Sequence, residues 1–532
     1  MVDGLGAEIL DLTLRYLAVP CETGTARETA ADAFFRDCLG AEPYFTVHPD
    51  HLGRAAIPGD ALGRAVNWAL VKGSGPDTVV LIHHSDTVGT EDYGALADRA
   101  RDPGALAEGL RGADLDPQAR RDLESGEFLF GHGAADMRSG GAIQMVLLRR
   151  FSRAPRRGNL LLLALPDEEN LSAGMRHAPA LLDQLRLRFG LDWHLMVNAE
   201  PHQRRDPGVG LFSEGSVGKT LPFVHARGVL AHAGQVFGGL NPVNLVSEVA
   251  RRLELNTDLC DARDGEVTPP PTCLFLKDSK DRYDVSLPRS AFACFNVMTL
   301  GRTPEEILGY LERQCREAAE RVLGDMAAQH GRYLRLRGAP AASLPWSVRV
   351  IRFEQLEGAP DARMAEDLRS GRRGMIQATW DLVEAALDRA GIPGPALVLG
   401  FVPPFYPCVT NAAFGDAGHR AMGLTDHLIR HAAARGQAYA REPFYTGICD
   451  LSYSSIQGGL ERGLVPNMPL HGPAYEIPFA LIRANGMPCI NIGPWGKDFH
   501  RLTERVRRED VVDITPGLMR EAIEFMLGES FE

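Results

Sequence analysis

No two cysteines in this 532-residue chain are spaced C-x-x-C, and their total of nine is odd. Scattered from Cys21 to Cys489, they build neither a thiolate metal knuckle nor a disulfide framework. They read as free thiols of a reducing compartment, the cytoplasm. A basic excess is also missing. The net charge of −12 removes nucleic acid and anionic membrane from the list of main partners. No apolar run approaches the roughly 18 residues of a membrane span. The opening MVDGLGAEILDLTLRYL places acids within an amphipathic pattern, unlike the basic and apolar regions of a signal peptide. No G-x-S-x-G occurs, which removes the usual serine-hydrolase elbow. SEGSVGKT fails as a phosphate loop because Ser213 stands where the first glycine is required. Ser216 and Lys219 satisfy S-x-x-K but lack the companion S-D-N and K-T-G elements.

What is present is a series of five short stretches, most of them closing an apolar run with residues that ligate divalent cations. They are LIHHSDTV (81–88), FGHGAADMRSGG (130–141), LLLLALPDEEN (160–170), LMVNAEP (195–201) and CINIGPWGKDFH (489–500). Runs such as TVVLI and LLLLAL are short, aliphatic and bounded by polar residues, the pattern of buried parallel strands. Ligand crevices in open α/β sheets lie beyond the carboxyl ends of such strands. His84, Asp86, Asp136, Glu168, Glu169, Glu200 and His500 are therefore expected to converge.

The length calls for more than one domain. Helices are expected near 6–18 and 27–39, followed by strands alternating with helices to about 213, and 91–127 reads as a helical surface insertion. From 216 the pattern changes to KTLPFVHARGVLAHAG, a hairpin-like stretch. An amphipathic helix follows, with Leu245, Val246, Val249, Ala250 and Leu253 on one face. Two strands come next, then a long helix with Thr303 as N-cap and Pro304 at its first position. The expected division is 1–215 and 357–532 as one α/β domain, with 216–356 as a separate α+β domain inserted into it.

Two histidines and three carboxylates, without thiolate, suit two Zn²⁺-like ions, and Mn²⁺ or Co²⁺ equally satisfy the donor set. Asp136 is short, with two oxygens able to bridge two cations. Adjacent side chains of extended backbone diverge, so one of Glu168 and Glu169 can ligate while the other faces the attacking water. Asp86 is placed to hold the second ring nitrogen of His84, as carboxylates commonly do for ligating histidines. His83 should point to the other side of the strand.

The ordered series H-x-D, glycine-rich loop with Asp, D-E-E, a later acid and a late His resembles the M20 family of metallopeptidases and amidohydrolases. The stretch GVLAHAGQVFGGLNPVN resembles that family's lid domain, and the likeness is nearest to the arginine-utilisation subgroup. The resemblance implies a mixed-sheet zinc-peptidase-like catalytic domain with an inserted lid and dimerisation domain. It implies two divalent ions, Zn²⁺ first. His84 and Glu200 hold one ion, Glu169 and His500 the other, and Asp136 bridges them. It further implies Asp86 as the residue orienting His84 and Glu168 as general base and acid. His232 of the lid stabilises the oxyanion, with delivery from the partner of a homodimer, and Asn241 lies on the same surface. A cis bond at Asp136-Met137 is implied as well. The chain departs from the family pattern in the extra helical segment before Asp136, in added residues between about 357 and 480, and in the GPWGKDFH loop. The reaction implied is hydrolysis of an amide in a peptide or N-acyl amino acid. A non-hydrolytic binder of amino-acid-like ligands and a two-metal phosphoesterase are the alternatives.

Overall fold

Aliphatic runs with no polar face need burial with their backbone groups paired, and here they lie in strands buried on both faces of a sheet. The computed structural model describes residues 4–153, 157–204, 206, 208–472 and 474–530. The chain divides into two compact units, residues 1–216, 409–456 and 478–532 in the first, and 217–408 and 457–477 in the second.

The first unit is built on an eight-stranded sheet. In spatial order its strands are Leu52–Ala56, Ala65–Lys72, Arg157–Leu165, Ser74–His84, Asp192–Asn198, Cys489–Asn491, Val209–Ser213 and Ala438–Glu442. Ser74–His84 runs parallel to both neighbours, with His84 opposite Leu165 and Ile82 opposite Asn198. Cys489–Asn491 is parallel to Asp192–Asn198. Four strand ends that lead into the predicted motifs therefore finish side by side. Val79, Leu81, Leu160, Leu162, Leu195 and Val197 enter one core with the helices Gly4–Leu17, Ser139–Phe151 and Thr515–Leu527. Val80, Ile82, Leu161 and Leu163 point to the other face and are equally buried. Residues 91–127 form short helices, as expected. The motif GHGAAD follows Phe128–Phe130, a strand of a separate three-stranded sheet with Arg505–Arg507 and Gly496–Lys497.

The second unit carries a five-stranded sheet in the order Thr272–Asp278, Ser290–Thr299, Gly218–Arg227, Ala396–Tyr406 and Arg349–Arg352. The stretch from 218 is one strand rather than a hairpin, because its two edges are taken by Ser290–Thr299 and Ala396–Tyr406. The helix Pro304–Leu336 begins with a capping box between Thr303 and Glu306. Phe223, Phe292, Trp380, Val383, Leu387 and Val398 share a core.

The return of the chain to the first unit differs from the expected position of 357. Helix Met375–Arg389 and strand Ala396–Tyr406 belong to the second unit, and 457–477 comes back to it. Ala396–Tyr406 is apolar on both faces and pairs antiparallel to Gly218–Arg227 and parallel to Arg349–Arg352. It sits in the interior of that sheet. None of the described helices is long and apolar enough to cross a membrane, and all nine cysteines are free.

Candidate metal centre

The segments that follow four neighbouring strand ends, together with the loop after Phe128–Phe130, bring acidic and imidazole groups to the same place. His84 closes the strand Ser74–His84 with its ring fully buried. His83 points away, with its Nδ1 3.0 Å from the Gln144 amide oxygen. Asp136 follows Gly133, whose φ of +70° suits glycine, and a Cβ there would lie 2.7 Å from the Thr87 methyl. The Asp136-Met137 bond is cis. Glu200 follows Asp192–Asn198, and Gly493 rides so close that a Cβ would collide with the Glu200 carbonyl. His500 sits at the end of that glycine-containing loop with a φ of +62°.

The carboxylate of Asp136 lies between the two histidines. Its Oδ1 is 2.8 Å from His84 Nε2, and its Oδ2 is 3.1 Å from His500 Nε2. Glu200 Oε1 is 3.6 Å from His84 Nε2, and Glu169 Oε1 is 2.9 Å from His500 Nε2. Donor atoms of His84, Glu168 and Glu200 lie within 4.8 Å of one another, as do those of His84, Asp136 and Glu169. All five expected ligands and Glu168 thus meet in the first unit. His232 and Asn241 lie in the second unit. There the His232 ring accepts from the Gly234 N–H at 3.0 Å, and Asn241 caps the helix Pro242–Leu253.

Asp86 acts differently from expectation. His84 Nδ1 bonds the Asp86 backbone carbonyl at 3.0 Å, with the carboxylate at 3.7 Å. That carboxylate instead accepts the Glu168 and Glu169 N–H groups at 3.1 and 3.2 Å and the Thr23 hydroxyl at 2.8 Å. The chain curls after His84, so the carbonyl two residues on faces the ring, and the side chain is left to fasten the D-E-E turn. Arg64 clamps the first acid of that turn, Asp167, while Asp167 Oδ2 accepts from Ala173 N–H at 3.1 Å.

The charge balance of this pocket is lopsided. Burial pushes the carboxyls of Glu168, Glu169 and Glu200 upward, and neighbouring carboxylates add to it. Burial also raises Asp136, but hydrogen bonds from His500 and His84 outweigh it and hold that carboxyl below the usual range. Hydrogen bonds to Asp136 and Glu169 raise His500 to about 11. Burial opposes the charge on His84, yet Glu200, Asp136 and Glu168 together raise it well above an ordinary imidazole. The two imidazoles thus face a buried acid cluster that favours positive charge beside it. Ring nitrogens already aimed at a shared carboxylate, with further carboxylates on both flanks, are a donor set that divalent cations fit.

Two buried acids nearby were not singled out from the sequence. Asp450, in the run CDLSYSS, is pushed up to about 7 by burial, with His84 pulling it down. Glu504 accepts the N–H groups of Gly133, Ala135 and Asp136 at 3.1, 3.0 and 3.1 Å. Neither belongs to a ligand spacing, and both lie outside the five stretches singled out from the sequence.

Comparison with known proteins gives the family. Residues 110–524 match the model of peptidase family M20/M25/M40. An uncharacterized protein of Bacillus subtilis (strain 168), YqjN, is 32% identical over 98% of this chain and 97% of its own length. Protein RocB of the same strain is 29% identical over 97% of this chain and 94% of its own. Aminopeptidase PepT from Bacillus cereus ATCC 10987 shares the fold, with a TM-score of 0.52 at 13% identity and 98% coverage of both chains. With a family match over most of its length and full-length relatives that include RocB, the chain belongs to peptidase family M20/M25/M40 and is a metallopeptidase or amidohydrolase of that family.

Proposed function

We propose that the chain is a di-metal-dependent hydrolase that cleaves the amide bond of a peptide or an N-acyl amino acid. The observation that carries this reading is the Asp136 carboxylate set between His84 and His500, with Glu200 and Glu169 on its flanks. His84 and Glu200 would hold one ion and Glu169 and His500 the other, with Asp136 shared between them. Zn²⁺ is the first choice, and Mn²⁺ or Co²⁺ also satisfy these donors. Such ions, when bound, supply Lewis acidity toward a carbonyl oxygen and lower the pKa of water.

Glu168 does the proton work. Its backbone N–H is held by Asp86, so its side chain is aimed by the same carboxylate that fixes the ligand Glu169. It would take the proton of the attacking water as the water adds to the carbonyl. It would then deliver that proton to the leaving amine nitrogen. We assign His232 to stabilisation of the tetrahedral oxyanion, delivered across a homodimer formed by the second unit, which serves as lid and dimerisation domain. The nine free thiols support a cytoplasmic setting.

A substrate screen tests the reading: N-acyl amino acids, dipeptides and phosphate esters, each with added Zn²⁺, Mn²⁺ or Co²⁺. Arginine-containing compounds come first, on the resemblance to the arginine-utilisation subgroup. The expected result is metal-dependent turnover of an amide. Turnover of phosphate esters alone, or binding of amino-acid-like ligands without turnover, would replace this reading by one of its alternatives.

A further inference from the structure

We infer that Glu504 is a positioning residue that fastens the loop presenting Asp136 to the loop presenting His500, so that the two groups are set in place as one body. This rests on the two-metal reading above. Glu504 is only 1% exposed. Its Oε2 accepts the Gly133 N–H at 3.1 Å, and its Oε1 accepts those of Ala135 and Asp136 at 3.0 and 3.1 Å. Its carbonyl accepts the Gly131 N–H at 3.2 Å. One residue thus takes four of the backbone donors between Gly131 and Asp136, among them the N–H of Asp136 itself.

The other half of the tie runs toward His500. Arg505 pairs with Phe130 in the three-stranded sheet. Its guanidinium donates to Asp122 at 2.7 Å and also bonds Asp498. Asp498 accepts the Thr503 hydroxyl at 2.8 Å and stands two residues before His500. Asp498 and His500 both have positive φ, 55° and 62°, a conformation that needs surrounding contacts to hold it. The arrangement parallels Asp86, which comes from the His84 strand and fastens the turn bearing Glu169. In each case a carboxylate from one ligand-bearing segment grips the peptide N–H groups of another. Carboxylates accepting several backbone N–H bonds are strong, directional clamps. Outer residues of this kind fix ligand orientation, and losing one typically costs about 10–100-fold in metal affinity or activity.

The test is a calorimetric titration of Zn²⁺ into the full metal-free chain, wild type beside Glu504→Gln, with melting temperatures of both metal-free proteins. Gln keeps the shape but replaces one acceptor oxygen by a donor that faces N–H groups. The expected result is a loss of roughly 10–100-fold in affinity at the ion that Asp136, Glu169 and His500 would hold. A merely structural role would lower the melting temperature and leave that affinity within about threefold of wild type, which overturns the inference while the two-metal reading stands. A wild type that binds no metal overturns both. If Glu504→Gln does not fold, amide hydrogen exchange on the wild type decides. The Gly133, Ala135 and Asp136 N–H groups should be protected in the metal-free protein, and fast exchange there overturns the inference.

Discussion

Replacing Glu168 by Gln should leave two ions bound and substrate affinity nearly unchanged while kcat falls by about 10²–10⁴-fold. The amide keeps the size and the backbone anchoring that Asp86 provides but cannot take or return a proton. Glu169→Gln should fail differently. Its carboxylate is 2.9 Å from His500 and would be a direct ligand, so the variant should lose metal occupancy and regain part of its rate in excess metal. Elemental analysis of both purified variants, run beside steady-state kinetics, separates the roles. Loss of metal from Glu168→Gln with retention in Glu169→Gln would reverse the assignment. Retention of both metal and activity in the two variants would remove the D-E-E turn from the reaction altogether.

Chelation should be nearly as severe. Lewis acidity and an activated water contribute several kcal/mol to such reactions, so exhaustive treatment with a chelator should lower turnover by at least about 10²–10³-fold. Zn²⁺, Mn²⁺ or Co²⁺ added back should restore it. The metal-free protein should also melt at a lower temperature, because the buried carboxyls of Glu168, Glu169 and Glu200 then lack cations other than the two histidines. A chelated protein of unchanged turnover, shown by elemental analysis to be free of metal, would contradict a metal-dependent reaction.

Most of the candidate ligands were legible because their segments follow apolar runs, and neighbouring parallel strands deliver their carboxyl ends to one edge; Asp136 follows a strand of the separate three-stranded sheet instead. His84, Glu200 and the D-E-E turn needed only that rule once their strands proved to be neighbours. His83 was separable from His84 by the two-residue period alone. Ala396–Tyr406 was not assignable in the same way. A strand apolar on both faces reads as interior, and nothing in its residues says interior to which sheet. The contacts of Asp86 escaped for a related reason. The spacing His-x-Asp brings two polar groups close but cannot say whether carbonyl or carboxylate meets the ring, which depends on how the chain bends after the strand. Glu504 and Asp450 are buried by tertiary packing, and an isolated acid in a loop looks like a surface residue until its neighbours in space are known.

Anomalous diffraction from crystals of the wild-type chain grown with Zn²⁺ tests most directly whether five side chains from five segments hold two ions. The predicted result is two peaks about 3.5–4 Å apart, one against His84 and Glu200, the other against Glu169 and His500, with Asp136 reaching both. A single peak, or peaks that leave Asp136 unengaged, would contradict it.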